Sequence, residues 1–180
     1  MSVGKLLDRR DVFELAKRHH KQILIPSGAV AGIDAIKAAS LDKIKSITLT
    51  TRKPSIGFKE NAYIKEQKIR LDTIKEETLI FEGSVTEAVK HFPQNINVAA
   101  TLALAGGDKN KVTVRIMTSP KYKTNSHEVV AVGAFGRMTS LTENVICPDN
   151  PKTSYLAVLS ALQTIHHFVH NNEPKTPKRR

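Results

Sequence analysis

The chain has 180 residues and a mass of 19.9 kDa, enough for one domain with a sizeable core but too little for two full domains. Hydrophobic residues make up 40% and charged residues 25%, a balance that excludes a disordered or fibrous chain. The net charge of +11 suits nucleic acid, an anionic cofactor or an acidic substrate. Because the chain has three Tyr, six Phe and no Trp, with no aromatic and basic interleaving, we expect no nucleic-acid partner.

The single cysteine, Cys147, excludes an internal disulfide framework and any metal site built from several cysteines. It precedes Pro148 and is interpreted as a small buried hydrophobic residue. The first ten residues have no apolar stretch typical of a signal peptide, and no apolar run approaches the ~18 residues that a membrane span needs. The sequence therefore predicts a cytoplasmic protein without a membrane partner.

The amino-terminal part alternates helical and extended patterns. Periodicity predicts a helix from Asp8, which can cap it, to His20, then a buried strand at 22–25 and a second helix over 29–40. The loop Pro26-Ser27-Gly28 lies between this strand and the second helix. A strand, a glycine loop and a helix amino terminus together favour binding of an anion.

The residue patterns in the middle of the chain predict one strand and two helices. Residues 46–51 alternate with a period of two, which indicates a half-buried strand, and the lysine-rich segment 55–77 is predicted to be a surface excursion. Ser84 followed by Glu87 is typical of a capping box that opens a helix ending at Phe92. The Ala- and Leu-rich run 95–107 predicts another helix, which begins with Asn95 and Asn97 as capping residues and ends at a glycine pair.

The last third predicts consecutive antiparallel strands over 111–118, 127–134 and 137–145. Pro151 then favours the first turn of a long helix, whose apolar stripe would close the fold. The order of the elements predicts an α+β fold, with a mixed, largely antiparallel sheet covered by helices on one face.

No glycine cluster forms G-x-G-x-x-G or G-x-x-x-x-G-K-[ST], so the sequence carries no dinucleotide fingerprint and no P-loop. His166 and His170 are four residues apart, but they lack the glutamate of an H-E-x-x-H site. We interpret them as a solvated helix edge and expect no metal site.

His127 is the strongest candidate for chemistry because it enters a predicted strand, where the backbone is rigid and the side chain can face a cleft. Histidine titrates near neutrality and moves a proton in either direction. A surface or core histidine remains the alternative on spacing alone. For Asn97, helix capping is the alternative to a role in binding.

Several ordered blocks resemble the aspartate dehydrogenase family. They are Ile25-Pro26-Ser27-Gly28-Ala29, Gly32 to Ala39, Thr48 to Pro54, Phe81 to Ser84, Asn97 to Gly106, His127-Glu128 and Asn150 to Ala157. The resemblance implies an NAD(P)-dependent oxidoreductase, a homodimer, that converts L-aspartate to iminoaspartate. That product feeds NAD biosynthesis or hydrolyses to oxaloacetate and ammonia.

The resemblance also implies roles for individual residues. His127 matches the catalytic histidine of the family, and Asn97 matches a contact to the nicotinamide end of the cofactor. The loop 27–31 matches a second cofactor contact, with Ala29 or Ala31 as the counterpart. Chemistry and position, rather than the resemblance, suggest Ser27, Arg52 and Lys53 as substrate-binding residues, since a cation at a strand end can hold a carboxylate. A solvated strand end is the alternative for Arg52 and Lys53.

The family has an amino-terminal dinucleotide-binding domain, and this chain resembles the part that follows it. We therefore expect residues 1–22 to be a remnant or linker, residues 23–148 to form the catalytic and oligomerisation domain of a Rossmann-linked dehydrogenase, residues 149–171 to form a closing helix, and residues 172–180 to be a disordered basic tail. The choice between NAD and NADP stays open, because the residue that reads the ribose belongs to the other domain. A non-catalytic binding or oligomerisation module, or a pseudoenzyme, is the alternative function.

Overall fold

The computed structural model describes residues 3–93 and 96–171 and is built around one five-stranded sheet. Its strands are β1 (Ile44–Pro54), β2 (Thr78–Ser84), β3 (Val112–Ser119), β4 (Asn125–Gly133) and β5 (Gly136–Asn144). They lie in the order β2-β3-β1-β4-β5, with β1 and β3 parallel and the other neighbours antiparallel. A small antiparallel pair, β6 (Ile146–Cys147) and β7 (Asn150–Ser154), follows. The predicted α+β class with a largely antiparallel sheet is confirmed.

The described residues form six α-helices. They are α1 (Arg10–Arg18), α2 (Ile33–Ala39), α3 (Ala62–Glu66), α4 (Val85–His91), α5 (Asn97–Gly106) and α6 (Tyr155–Asn171). Short 3-10 turns occur at Val3–Leu6, Ser55–Phe58, Leu71–Thr73 and Lys109–Lys111. The predicted capping box is present at α4, where Ser84 accepts from the Glu87 amide and the Glu87 carboxylate accepts from the Ser84 amide.

The core lies between the sheet and the helices α2, α4 and α5. Helix α5 is apolar nearly all round and buried along most of its length, as expected for a helix inside a core. Its Gly106 lies so close to β1 that an added Cβ would come within 2.8 Å of the Ile47 side chain. This close approach places the start of α5 beside the carboxyl end of β1, where the site described below is found.

The predicted strand at 22–25 is wrong, because this segment is irregular and its Leu24 side chain is exposed. The second helix begins at Ile33 rather than at Ala29, since Gly28 and Gly32 adopt positive φ angles of 74° and 86° in a loop. Asp8 does not cap α1, whose N-cap residue is Arg9. The segment 55–77 is only partly a surface excursion, because Phe58 and Ile64 are buried in the core.

The predicted run of three consecutive antiparallel strands is only partly right. Strands β4 and β5 do form a hairpin, but β1 lies between β3 and β4. Apolar side chains of β1, such as Ile47 and Leu49, are buried against neighbours on both sides, including Val114 in parallel β3 and Val129 in antiparallel β4. Burial of this strand at the centre separates β3 from β4.

The predicted helix start at Pro151 is also wrong. Residues 150–154 form β7, which pairs with β6, and α6 begins at Tyr155. The apolar stripe on α6 does not close the fold, since Leu159, Leu162, Ile165 and Val169 are all more than 40% exposed. The predicted tail at 172–180 lies outside the described residues, as does Asn95.

Candidate functional site

A pocket of about 240 Å³ lies where the carboxyl end of β1, the start of β4 and the amino end of α5 meet. Because β1 and β4 are antiparallel, the last residues of one strand and the first of the other reach the same edge of the sheet. The loop before α2 and the residues joining β7 to α6 complete the walls. Four residues singled out by sequence lie together here, namely Ala29, Lys53, Asn97 and His127.

His127 is buried, with 6% of its surface exposed. It lies directly opposite Thr51 in the β1–β4 ladder, and its Nδ1 is 3.0 Å from the Thr51 hydroxyl oxygen. Burial, and after it the positive charge of Lys53, together lower the pKa of His127 to about 4. The imidazole is therefore neutral at physiological pH and has a lone pair with which to accept a proton.

Lys53 lines the same pocket, two residues beyond Thr51 on β1. Burial lowers its pKa to about 8, so the side chain is still mostly an ammonium ion at neutral pH. A cation on a pocket wall is a partner for a carboxylate. The pocket thus combines a neutral base with a positive charge.

Arg52 lies on the opposite face of the sheet, because successive side chains of a strand alternate. Its Nε is 3.1 Å from the Glu77 carboxylate, and one of its terminal guanidinium nitrogens is 2.8 Å from the Glu128 carboxylate. Arg52 lines a different cleft, together with Lys121 and Ser126. On sequence alone, Arg52 and Lys53 were equally good candidates for binding a substrate carboxylate. The structure brings only Lys53 to His127.

The loop before α2 is held on β5 by a row of polar side chains. The Ala29 carbonyl accepts from the Thr142 hydroxyl at 2.8 Å and from the Asn144 amide at 3.1 Å, and the Ala31 carbonyl accepts from the Ser140 hydroxyl at 3.0 Å. Ala29 lines the pocket with His127, whereas Ser27 and Ala31 line a separate groove of about 740 Å³ against α6. None of these β5 residues was singled out from the sequence, because the loop is more than 100 positions away.

Asn97 is the first residue of α5, and its side-chain oxygen accepts from the Val3 amide at 3.0 Å. The N-cap position belongs to Ile96 and has no side-chain cap, so the capping interpretation of Asn97 is wrong. The Asn97 side chain instead ties the amino-terminal 3-10 turn to the pocket wall.

The pocket has room for a small planar group but not for a whole dinucleotide. Its volume is below the ~300–1,000 Å³ of clefts that enclose drug-sized ligands. Gly28 lines it with a φ of 74°, and a Cβ added there would meet no atom within 4 Å, so a flat ring has room beside the backbone. Ala29 and Asn97, for which the resemblance implies cofactor contacts, both line this pocket.

The described parts of the chain hold no group of three or more His, Cys, Asp or Glu that could bind a metal ion. The rings of His166 and His170 are 4.1 Å apart on an exposed helix face, and Cys147 is buried. Among the same described residues, no helix combines the length and the apolar character that a membrane span requires.

Comparison with known proteins identifies the family to which the chain is related. The profile of the family described as aspartate dehydrogenase, C-terminal, matches residues 34–168. L-Aspartate dehydrogenases from Methanosarcina barkeri and Methanosarcina mazei are 48% and 47% identical over 168 residues, which are 92% of this chain and 62% of each relative. The crystal structure of aspartate dehydrogenase from Thermotoga maritima superposes with a TM-score of 0.71 and 29% identity, covering 97% of this chain and 64% of that one.

The fold and the matches together assign the chain to a class of α+β domains found in dehydrogenases. More particularly, the chain belongs to the aspartate dehydrogenase family, through its C-terminal domain. It spans about 62% of the length of the curated relatives that it matches.

Proposed function

We propose that this chain is the substrate-binding and proton-transfer domain of an NAD(P)-dependent L-aspartate dehydrogenase. Such an enzyme oxidises L-aspartate to iminoaspartate, which hydrolyses to oxaloacetate and ammonia or enters NAD biosynthesis. The observation that carries the proposal is the buried, neutral His127 beside the Lys53 ammonium in one small pocket. That pocket is formed largely within the residues matched by the family profile.

The substrate carboxylate is held by Lys53, the one cation among the described residues that line this pocket. A carboxylate paired with a largely buried ammonium is fixed in position, since charge-assisted hydrogen bonds are stronger than neutral ones. Arg52 and Ser27 take no part in this proposal because they lie outside the pocket.

His127 accepts the proton that the substrate nitrogen loses. The Cα–H bond of aspartate breaks with both electrons leaving as hydride, a C=N bond forms, and the displaced N–H proton moves to the imidazole. A neutral imidazole is ready for this step without first losing a proton. The same base can later assist addition of water to the imine.

NAD or NADP supplies the hydride acceptor when it is bound. Ala29 and Asn97 would contact its nicotinamide end from the pocket wall. Ala31 lines the neighbouring groove and is the less direct candidate. The sequence carries no G-x-G-x-x-G fingerprint, so none of its residues is assigned to the pyrophosphate.

We propose further that two copies of the chain pair as a homodimer in the cytoplasm. The exposed apolar stripe of α6 supports the pairing, because an exposed stripe of this kind marks an interaction surface. A single buried cysteine supports a reducing compartment.

Kinetics of a fusion protein test the proposal. The part of the Methanosarcina barkeri enzyme that this chain does not match is joined to it, and aspartate-dependent reduction of NAD and NADP is measured. The variant His127→Ala is expected to lower kcat by about 10²- to 10⁴-fold, the contribution typical of a general acid-base group. The exposed His19 serves as the matched control, and His19→Ala is expected to retain full activity.

The rival function, a non-catalytic module, predicts a different result. An unmodified fusion that folds, as judged by its melting curve, yet turns over no aspartate would favour that module. Equal kcat for the His127→Ala and His19→Ala variants would show that His127 does not take part in proton transfer.

A further inference from the structure

Thr51 is a buried polar residue that contacts the imidazole of His127. It is 2% exposed and lies directly across the β1–β4 ladder from His127. Its hydroxyl oxygen is 3.0 Å from Nδ1 of the imidazole, within the range of a direct hydrogen bond. His127 lines the pocket and Thr51 does not, so the ring nitrogen left to face a ligand is Nε2.

The direction of this hydrogen bond decides what His127 can do. A hydroxyl can donate to Nδ1, which puts the ring proton on Nε2, or accept from Nδ1–H, which leaves the lone pair on Nε2. In the first case the nitrogen that faces the pocket already carries a proton and cannot accept another. In the second case it is a base.

The charge of Lys53 distinguishes the two tautomers. Lys53 lines the same pocket, and its ammonium ion acts electrostatically on the His127 ring. A lone pair on Nε2 is attracted by that cation, whereas an N–H with its partial positive charge is repelled by it. Burial of the ring reduces the screening of this interaction by water.

We propose that Thr51 is the positioning residue of this site: its hydroxyl accepts a hydrogen bond from Nδ1–H of His127 and so keeps the lone pair on Nε2, facing the pocket. Nδ1–H is also present when Nε2 becomes protonated. The Thr51 contact is therefore the same before and after proton uptake, and the ring has no need to turn during the reaction. The catalytic consequence rests on the proposed function, but the tautomer does not.

Nitrogen-15 NMR of the purified chain tests the tautomer without any activity measurement. The seven histidines are labelled, and the His127 signals are assigned as those lost in His127→Gln. At pH 7 the expected spectrum shows Nδ1 protonated and Nε2 unprotonated. A His127 ring protonated on Nε2 in the unmodified chain would overturn the proposal.

Three variants extend the test. Thr51→Val removes the acceptor, so the proton is expected to shift towards Nε2, and Thr51→Ser is expected to restore the original tautomer. Thr50→Val is the matched control, since Thr50 is also buried and adjacent on β1 but points to the other face of the sheet. An unchanged His127 tautomer in folded Thr51→Val would contradict the proposal. If that variant fails to fold, the tautomer measured in the unmodified chain and in Thr51→Ser still tests the proposal.

The fusion protein described above tests the consequence for catalysis. Thr51→Val is expected to lower kcat at least about tenfold, part of the full contribution of a general base, with little change in the KM for aspartate because Lys53 is retained. Thr51→Ser is expected to recover kcat to within about threefold. Unreduced kcat in Thr51→Val would overturn the positioning role. An inactive unmodified fusion would instead count against the proposed function, and the NMR result would stand by itself.

Discussion

Strand alternation separates two neighbouring cations into different environments. Lys53 is in the pocket with His127, and its pKa is lowered to about 8 by burial. Arg52 lies on the other face between two carboxylates, Glu77 and Glu128. Either residue would serve as a carboxylate partner by its chemistry alone. Only the face of the strand decides which cation meets the base.

Burial of the Lys53 ammonium is expected to lower the stability of the fold, although the same charge is proposed to bind the substrate carboxylate. The folded pKa of about 8 lies below the ordinary value of 10.5, so the unfolded chain binds more protons between these values. The cost of burying the charge is therefore fully present below pH 8 and is relieved as the pH rises towards 10.5. Lys53→Met is expected to raise the melting temperature at pH 7 by about 2 °C or more, and the gain is expected to fade near pH 10.

Lys45→Met is the control for this prediction, because Lys45 is exposed on the same strand. Thermal unfolding at pH 7 and pH 10 measures both variants, and the control is expected to change little at either pH. In the fusion protein, Lys53→Met is also expected to raise the KM for aspartate at least tenfold. A lower melting temperature at pH 7 would show that the contacts of Lys53 outweigh its desolvation.

At the scale of elements, strand β5 acts as the support of the loop before α2. Ser140, Thr142 and Asn144 follow each other with a period of two and therefore share one face. All three donate to carbonyl groups of the loop, those of Ala29 and Ala31. This row fixes the loop that forms one wall of the His127 pocket.

Loosening this support is expected to affect the cofactor end of the site. Thr142→Val removes the 2.8 Å hydrogen bond to the Ala29 carbonyl and is expected to reduce the free energy of unfolding by about 1 kcal/mol. In the fusion protein it is expected to raise the KM for the nicotinamide nucleotide more than the KM for aspartate. Urea unfolding and steady-state kinetics measure the two effects.

Thr139→Val is the matched control, since Thr139 is an exposed residue of β5 on the opposite face. It is expected to alter neither quantity. Equal nucleotide KM values for the two variants would show that the Ala29 wall does not contact the cofactor.

At the scale of the whole molecule, the main exposed apolar feature of the described residues is the stripe of α6, formed by Leu159, Leu162, Ile165 and Val169. These positions recur at intervals of three and four residues, so they lie on one side of the helix. Soluble monomers rarely expose a contiguous apolar patch of this kind. The stripe is therefore the expected contact of the proposed homodimer.

A charge placed in the stripe is expected to separate the copies. Leu162→Lys should convert a dimer to a monomer, as measured by sedimentation velocity at several protein concentrations, because an unpaired ammonium would be buried in the interface. Leu41→Lys provides the control, since Leu41 is 91% exposed but lies outside α6. A monomeric unmodified chain, or a dimer that survives Leu162→Lys, would contradict pairing through this stripe.

Elements with local causes could be predicted from the sequence. The capping box at Ser84 and Glu87 defines the start of α4, and the glycine pair after the Ala- and Leu-rich run marks the end of α5. The β4–β5 hairpin likewise follows from alternation on both sides of a short turn. Each of these signals involves residues near one another in the chain, so it can be recognised without knowledge of the fold.

The ordered motifs were equally informative about the family. They indicated the aspartate dehydrogenase family, which the family profile and the Methanosarcina relatives confirm. They also pointed to Ala29, Asn97 and His127, which the structure brings to one pocket. Motif order is a property of the chain itself and does not require a folded structure to be read.

What only the tertiary structure decided depends on contacts between distant segments. The sequence does not reveal that β1 lies between β3 and β4, and that placement alone brings Thr51 opposite His127 and puts Lys53 in the pocket. Nor does it reveal that the stripe of α6 stays exposed, because an apolar periodicity predicts a buried face without naming what covers it. Amino-acid order determines which side chains are available, whereas strand order and packing determine which of them meet.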